Sequence, residues 1–419
     1  MARELAYVLI NPYTIAKSRT GGVIARYLSR TDLDLVAARM VGPSSELVSQ
    51  YAALVRSAEP GSTTCELISQ YIAKNYSPDP ITGKRRRVMM LMFEGDDAVR
   101  KIWQVTGSAT LRLGSGESIR DTYGDYVLDE QNTVKYFEPA VLVGPTIKRV
   151  AATLKLWAKF SGRDGGIVEG ASDVGKGGDV EKTLVLLKPD NFQFHSSRPG
   201  NIVDLLSLSG LRIVAVTKFR MTVSQAEEFY GPVRESLRGR FKTSGKKRAA
   251  DALSREFGLE VPEDVVDSVC DRLGPVVASR EFENIVEFMT GYRPSACSES
   301  EKRAPGREEC LALVYMGTHA VRKIRSILGP TDPSKAKPGS VRREFGSNIM
   351  VNAAHASDSA ENARREMEII RVEEDTVSPL VDKFYGSGLS ALSSLRFLAP
   401  SFGGEFVRKI REKLRTKHS

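Results

Sequence analysis

A chain of 419 residues, 41% apolar and 27% charged, has the composition of a folded protein rather than a disordered or collagen-like one, and single cores stop growing near ~250–300 residues, so two or three domains are expected. No apolar run approaches the ~18 residues of a membrane helix, and "MARELAYVLINPY" lacks the apolar core and cleavage site of a signal peptide. The formal charge of +9 suits nucleic acid, an anionic surface or a small phosphorylated substrate; Cys65, Cys270, Cys297 and Cys310 have no ligand spacing, so neither zinc nor a disulfide framework is expected and the expected compartment is a reducing cytoplasm.

The first element in chain order is "LAYVLINPYT", an apolar strand that ends in a polar residue and proline, which supplies no N–H to a ladder. Next come "VMMLMFEGDDAVRKIW", read as strand, Gly turn and helix, and "GESIRDTYGD". All three return in the same order as "TLVLLKPDNF", "CLALVYMGTHAVRKIR" and "PGSVRREFGS", so the sequence predicts two copies of one domain, the first over residues 1–145. Between them residues 146–180 read as a helix, with apolar positions at Val150, Leu154, Leu156 and Trp157, and a linker with seven glycines at 161–178. The linker's "GASDVGKGG" has phosphate-loop spacing, but Gly177 stands where Ser or Thr would hold magnesium and a strand follows instead of a helix.

The second copy spans residues 181–371, with strands expected at 184–187 and 212–219 and a helix at 201–206. A basic helical insertion occupies about 231–279 and a second insertion about 291–308; the first copy has only a smaller addition ending in "GKRRR". Solvated basic faces are the simplest reading of both, contact with nucleic acid or an acidic partner the other. The tail, 372–419, ends in "FVRKIREKLRTKHS", a basic amphipathic stretch expected to dock as a helix. Alternating elements with short connections predict an α/β class, an α+β sandwich of two ferredoxin-like (split βαβ) domains with small antiparallel sheets.

One of four histidines, His355, lies in "SNIMVNAAHA", read as a strand running into a turn, with "SDSAENARREMEII" as the helix beyond. Asp358 and Glu361 have capping-box spacing, and Ala360, Ala363, Met367 and Ile370 form an apolar stripe. A histidine at a strand end before a helix N-terminus suits phosphate chemistry, because the N–H groups there are unpaired. Arg342, Arg325, Thr331 and Lys188 could converge on it and hold the oxygens of a phosphoryl group in transfer.

These residues resemble the nucleoside diphosphate kinase family. The motif stands as Asn352, His355, Ala356, Ser357, Asp358 and Ser359, with "KPD" at Lys188, Tyr230, and Arg325, Thr331 and Arg342 on the phosphate side. The resemblance covers most of 181–371 and implies ping-pong transfer of a γ-phosphate from ATP or another nucleoside triphosphate to His355 and then to a diphosphate. It implies further that Lys188 and Asn352 meet sugar hydroxyls, that Tyr230 clamps nucleotide, that Mg²⁺ is held mainly by the nucleotide's phosphates, and that Glu366 orients the histidine. Ala356 stands where the family has glycine, and Glu281 or Phe282 where an aromatic stacks on the base.

In the first copy Asn11 stands at the place of Lys188, Trp103 at that of Arg325 and Ala109 near that of Thr331, while Tyr51 and Arg120 are kept. Pairing Asn132 with Asn352 puts Lys135 at the histidine position. His195, His319, His355 and His418 all lie beyond residue 190, so phosphohistidine chemistry in the first copy is excluded. Its expected role is structural or regulatory, by intramolecular pairing with the catalytic half; homo-oligomers are also compatible. Two other classes remain open at this point: a nucleotide-binding regulatory pseudokinase and a basic nucleic-acid-binding protein on the same scaffold.

Overall fold

The longest strands do not alternate. Residues 5–10 are all buried, a pattern that requires cover on both faces of a sheet. The computed structural model describes residues 3–110, 116–171, 180–240 and 245–386. Its first half runs β1 (Arg3–Ile10), α1 (Pro12–Ala16), α2 (Thr20–Arg30), β2 (Asp34–Val41), α3 (Ser45–Ser57), α4 (Thr63–Asn75), β3 (Val88–Asp96), α5 (Ala98–Thr106), α6 (Ile119–Tyr123), a ribbon of β4 (Asp125–Leu128) and β5 (Val134–Glu138), β6 (Val141–Leu142) and α7 (Ile147–Asp164). The second runs β7 (Val180–Leu187), α8 (Arg198–Leu206), β8 (Arg212–Phe219), α9 (Val223–Phe229), α10 (Gly231–Arg240), α11 (Lys246–Phe257), α12 (Glu263–Thr290), α13 (Glu299–Lys302), β9 (Cys310–Thr318), α14 (Ala320–Leu328), α15 (Val341–Phe345), β10 (Ala354–Ala356), α16 (Ala360–Ile369) and α17 (Val377–Tyr385). Among the described residues no helix is long and apolar enough to cross a membrane.

The class is α/β, with the antiparallel split βαβ order in each half. The two small sheets do not stay separate: they join as β10-β7-β9-β8-β2-β3-β1-β6. At the seam β2 and β8 share one ladder pair, Arg39 with Thr217. The chain after α7 extends it, as Gly166 N–H donates to the Met40 carbonyl (3.0 Å) and Val168 N–H to that of Val214 (2.8 Å). Over the seam α2 crosses α8 at Gly21 and Gly200. A Cβ on Gly21 would lie 2.4 Å from Asp204 N, and one on Gly200 2.2 Å from Ala25 N, so neither position has room for a side chain. Second strand meets second strand and first long helix meets first long helix, the geometry of an isologous contact inside one chain. Arg39, buried beneath, donates to the carbonyls of Ser161 and Glu373 at 3.2 and 3.1 Å.

Several local expectations shift. The connecting helix continues to Asp164, into the glycine-bearing stretch, and residues 172–179, with most of the phosphate-loop spacing, lie outside the described residues. The run before His355 is a loop, and only Ala354–Ala356 is strand. Ser359, not Asp358, caps α16: its side chain accepts from Asn362 N–H, while Asp358 accepts from the Asn362 side chain at 2.6 Å. Ala360 is exposed, so the buried stripe begins at Ala363. In the tail α17 packs on α7, and the basic stretch at the end lies outside the described residues.

Candidate active site

The histidine is set by three short pieces of chain. Ala353 takes a left-handed φ of 69° that turns the chain into β10, where His355 pairs with Leu186 of β7. From α16 the buried Glu366 carboxylate reaches back, accepting from His355 Nε2 at 3.0 Å and from Ser357 Oγ at 2.6 Å. Sequence spacing alone could not show this reach; Ser357 is the residue whose part it hides. The rings of Phe229 and Tyr230, at the end of α9, stand edge-on to the imidazole with centroids 5.0 and 6.1 Å away. Ala356, at the position where the resemblance puts glycine, has no positive φ, so the methyl costs no backbone strain there.

His355 opens into a cavity of about 1130 Å³, and Lys188, Tyr230, Arg325, Thr331, Arg342, Asn352 and Glu366 all line it. Lys188 donates to Asn352 Oδ1 at 3.0 Å and to the Met350 carbonyl, and burial pushes its ammonium down to about 8 despite the nearby Asp190 carboxylate. Asn352 in turn donates to the carbonyls of Thr331 (3.2 Å) and Ile349 (2.7 Å), tying the loop together. Arg342 donates to the carbonyls of Gly329 (2.8 Å) and Ala354 (3.0 Å), whereas its buried Nε has no partner among the described residues. Burial first, and Arg325 second, push its guanidinium down to about 10. Arg325, in the last turn of α14, and Thr331 are exposed to the cavity. Burial raises the Tyr230 phenol well above its ordinary value; its hydroxyl is another buried group with no partner among the described residues.

The insertion covers the site. Leu273, Val277, Glu281, Ile285 and Phe288 of α12 form one wall, with Arg248, Ala249 and Ala252 of α11 beside them. Their spacing of four, four, four and three was a legible helical stripe, but nothing in the sequence says that it faces His355. Phe288 lies 4.8 Å from Lys188 Nζ. Of the two candidates for the base-facing position, Glu281 lines the cavity, and Phe282 is buried beneath Arg234. Lys246 pairs with Glu263 (2.7 Å) and Asp267 (2.6 Å), so part of the basic charge is neutralised within the insertion.

The same frame in the first half holds different contents. Arg120 donates to Gly107 (2.8 Å) and Val141 (3.2 Å) as Arg342 does to Gly329 and Ala354, and Asn11 N–H meets Ala140 O as Lys188 N–H meets Ala353 O. Ala140, like Ala353, is left-handed at 61°. These matches put Leu142, not Lys135, at the histidine position. Lys135 lies exposed on β5, because the β4–β5 ribbon is an addition that sequence pairing through Asn132 could not anticipate. Below Leu142, buried Glu138 accepts from Asn11 Nδ2 (2.9 Å) and Tyr71 OH (2.6 Å), and Tyr76 OH donates to Asn11 Oδ1 (2.7 Å).

A split βαβ sandwich whose cavity sets a carboxylate-bound histidine among lysine and arginine side chains has the make-up of a phosphotransferase. The nucleoside diphosphate kinase profile matches residues 301–376. The chain is 30% identical over 188 residues to a nucleoside diphosphate kinase of Bdellovibrio bacteriovorus, covering 45% of this chain and 90% of that one. With that of Nitratiruptor sp. it shares 28% over 188 residues, covering 45% and 93%. Among solved structures it is similar to the kinase of Aquifex aeolicus, at 28% identity and a TM-score of 0.29 over 46% of this chain and 95% of that one. On the sequence relatives, the chain belongs to the nucleoside diphosphate kinase family and is an enzyme of that family.

Proposed function

We propose that the chain passes the γ-phosphoryl group of a nucleoside triphosphate to a nucleoside diphosphate through a covalent intermediate on Nδ1 of His355. The observation that carries this reading is the 3.0 Å contact between His355 Nε2 and Glu366. A carboxylate only accepts, so the ring proton sits on Nε2 and Nδ1 keeps its lone pair. That pair forms the bond to the γ-phosphorus while the bond to the β–γ bridging oxygen breaks and leaves with its electrons on the diphosphate. Glu366 then faces a positively charged phosphoimidazole. The second half-reaction reverses these steps onto a new diphosphate, in ping-pong order.

Arg325, Arg342 and Thr331 meet the phosphates in this reading, and the unpartnered Nε of Arg342 is a donor held for them. Each charge-assisted hydrogen bond contributes roughly 1.5–3 kcal/mol. Lys188 and Asn352 present their polar edges to sugar hydroxyls. Magnesium in this reading would be held mainly by the nucleotide's own phosphates. Bound there, magnesium would neutralise phosphate charge.

Residues 181–371 act in this reading as the catalytic domain and 1–145 as a degenerate copy paired with it across the β2–β8 seam; the compartment is the cytoplasm. Incubation with γ-labelled ATP tests the proposal. Acid-labile, alkali-stable label should appear on the protein, pass to GDP or dCDP, and be absent from His355→Ala. No label, or label persisting in that variant, overturns it.

A further inference from the structure

The wall formed by α12 is apolar at Leu273, Val277, Ile285 and Phe288 and charged at one position, Glu281. A helix rises 1.5 Å per residue, so Glu281 stands about 10 Å along the axis from Phe288, whose ring marks the Lys188 end of the cavity. Lys188 meets the sugar hydroxyls in the reading above, and that rise is roughly the span of a nucleoside from those hydroxyls to the outer edge of its base. The neighbouring α11 brings Arg248 to the same cavity. Glu281 and Arg248 pair neither with each other nor with any other described residue, whereas the other carboxylates lining the cavity are engaged, Glu366 by His355 and Ser357 and Asp358 by Asn362. An unpaired anion and an unpaired cation therefore face one space, on packed helices, with Glu281 set along α12 from the Lys188 end.

We propose that Glu281 and Arg248 read the base edge and make the site prefer guanine nucleotides. Guanine offers N1–H and the N2 amino group to a carboxylate, and O6 and N7 to a guanidinium. Adenine turns the N1 lone pair toward the carboxylate and its amino group toward the guanidinium, leaving both charges poorly matched. Cytosine, uracil and thymine lack the paired O6 and N7 acceptors. The inference rests on the phosphotransfer reading for which class of ligand enters the cavity.

Single-turnover discharge of the labelled full-length phosphoenzyme by GDP, IDP and ADP tests it, since inosine keeps N1–H, O6 and N7 but lacks the N2 amino group. The apparent Kd for GDP should be at least about tenfold below that for ADP, with IDP between. The GDP/ADP ratio should collapse toward one in Glu281→Ala, and partly in Glu281→Gln and Arg248→Ala. Equal discharge by GDP and ADP in the parent protein, or an unchanged ratio in all three variants, overturns the inference. If no phosphoenzyme forms, the phosphotransfer reading fails by itself, and calorimetric binding of GDP against ADP to the parent and the same variants still decides base preference.

Discussion

Replacing Glu366 by Gln keeps the side chain's shape and removes its charge. The carboxylate accepts from His355 Nε2 at 3.0 Å and Ser357 Oγ at 2.6 Å, and the residue is only 4% exposed. The amide oxygen can serve just one of these donors. With the oxygen toward His355, its NH₂ group meets Ser357, whose hydroxyl can turn to accept, so the side chain fits and the tautomer survives. What is lost is the counter-charge to the phosphoimidazole. A charge-assisted bond of about 1.5–3 kcal/mol becomes a neutral one of about 0.5–1.5. A loss of roughly 1–2 kcal/mol corresponds to a fall of about 5- to 30-fold in the rate of phosphorylation, at ~1.36 kcal/mol per decade. Rapid-quench labelling with γ-labelled ATP measures that rate, and thermal melts check that the fold is intact. Phosphorylation of Glu366→Gln at the parental rate would refute the reasoning, as would phosphorus NMR that places the phosphate on Nε2.

Three further outcomes are expected. Burial lowers Lys188 from 10.5 to about 8, so between those values the folded chain binds fewer protons than the unfolded one and this group's effect on stability improves as pH rises, while its charge is lost to substrate; kcat/KM should fall above about pH 8, and Lys188→Arg should move the fall to higher pH, whereas a flat profile to pH 10 would contradict it. Gly21→Ala adds ~1 kcal/mol of helix propensity but sets a methyl against Asp204 N and Gly200 O at 2.4 and 2.6 Å, backbone atoms that cannot yield, so denaturant titration should show a net loss of about 1–3 kcal/mol, and a gain would refute the seam geometry. Adding Leu142→His to His355→Ala should restore no label, because Trp103 and Asn11 stand where Arg325 and Lys188 do and the Glu138 network occupies the space beneath.

Much of the frame was legible because it rests on local signals. The strand at Arg212–Phe219, the Ala-Val-Arg-Lys-Ile helix openings after β3 and β9, and the spacing from Arg325 through His355 to Glu366 each follow from residues close in sequence. Long-range geometry was not legible. Nothing along the chain says that α12 folds back over His355, that Leu142 rather than Lys135 takes the first half's histidine position, or that two small sheets share the β2–β8 seam. Such features depend on contacts between residues far apart in sequence, where periodicity carries no information.

The seam also bears on how the two halves of the proposed arrangement, one catalytic and one degenerate, would coexist. Each half meets the other with its second strand and first long helix, so the contact keeps a two-fold form while the sites behind it are free to differ. In the second half the space below the left-handed alanine is a cavity with poorly solvated cations: Lys188 is buried and Arg342 half-buried, burial lowers the pKa of both, and one Arg342 donor is unpartnered among the described residues. In the first half Asn11, Tyr71, Tyr76 and Glu138 fill the corresponding space with satisfied hydrogen bonds. A buried polar group without a partner typically costs about 1–3 kcal/mol, and a paired network avoids that cost. The first half thus retains the frame without the unpartnered donor that the proposed reading assigns to phosphate, and it covers the strand edge and helix face that the second half would otherwise expose.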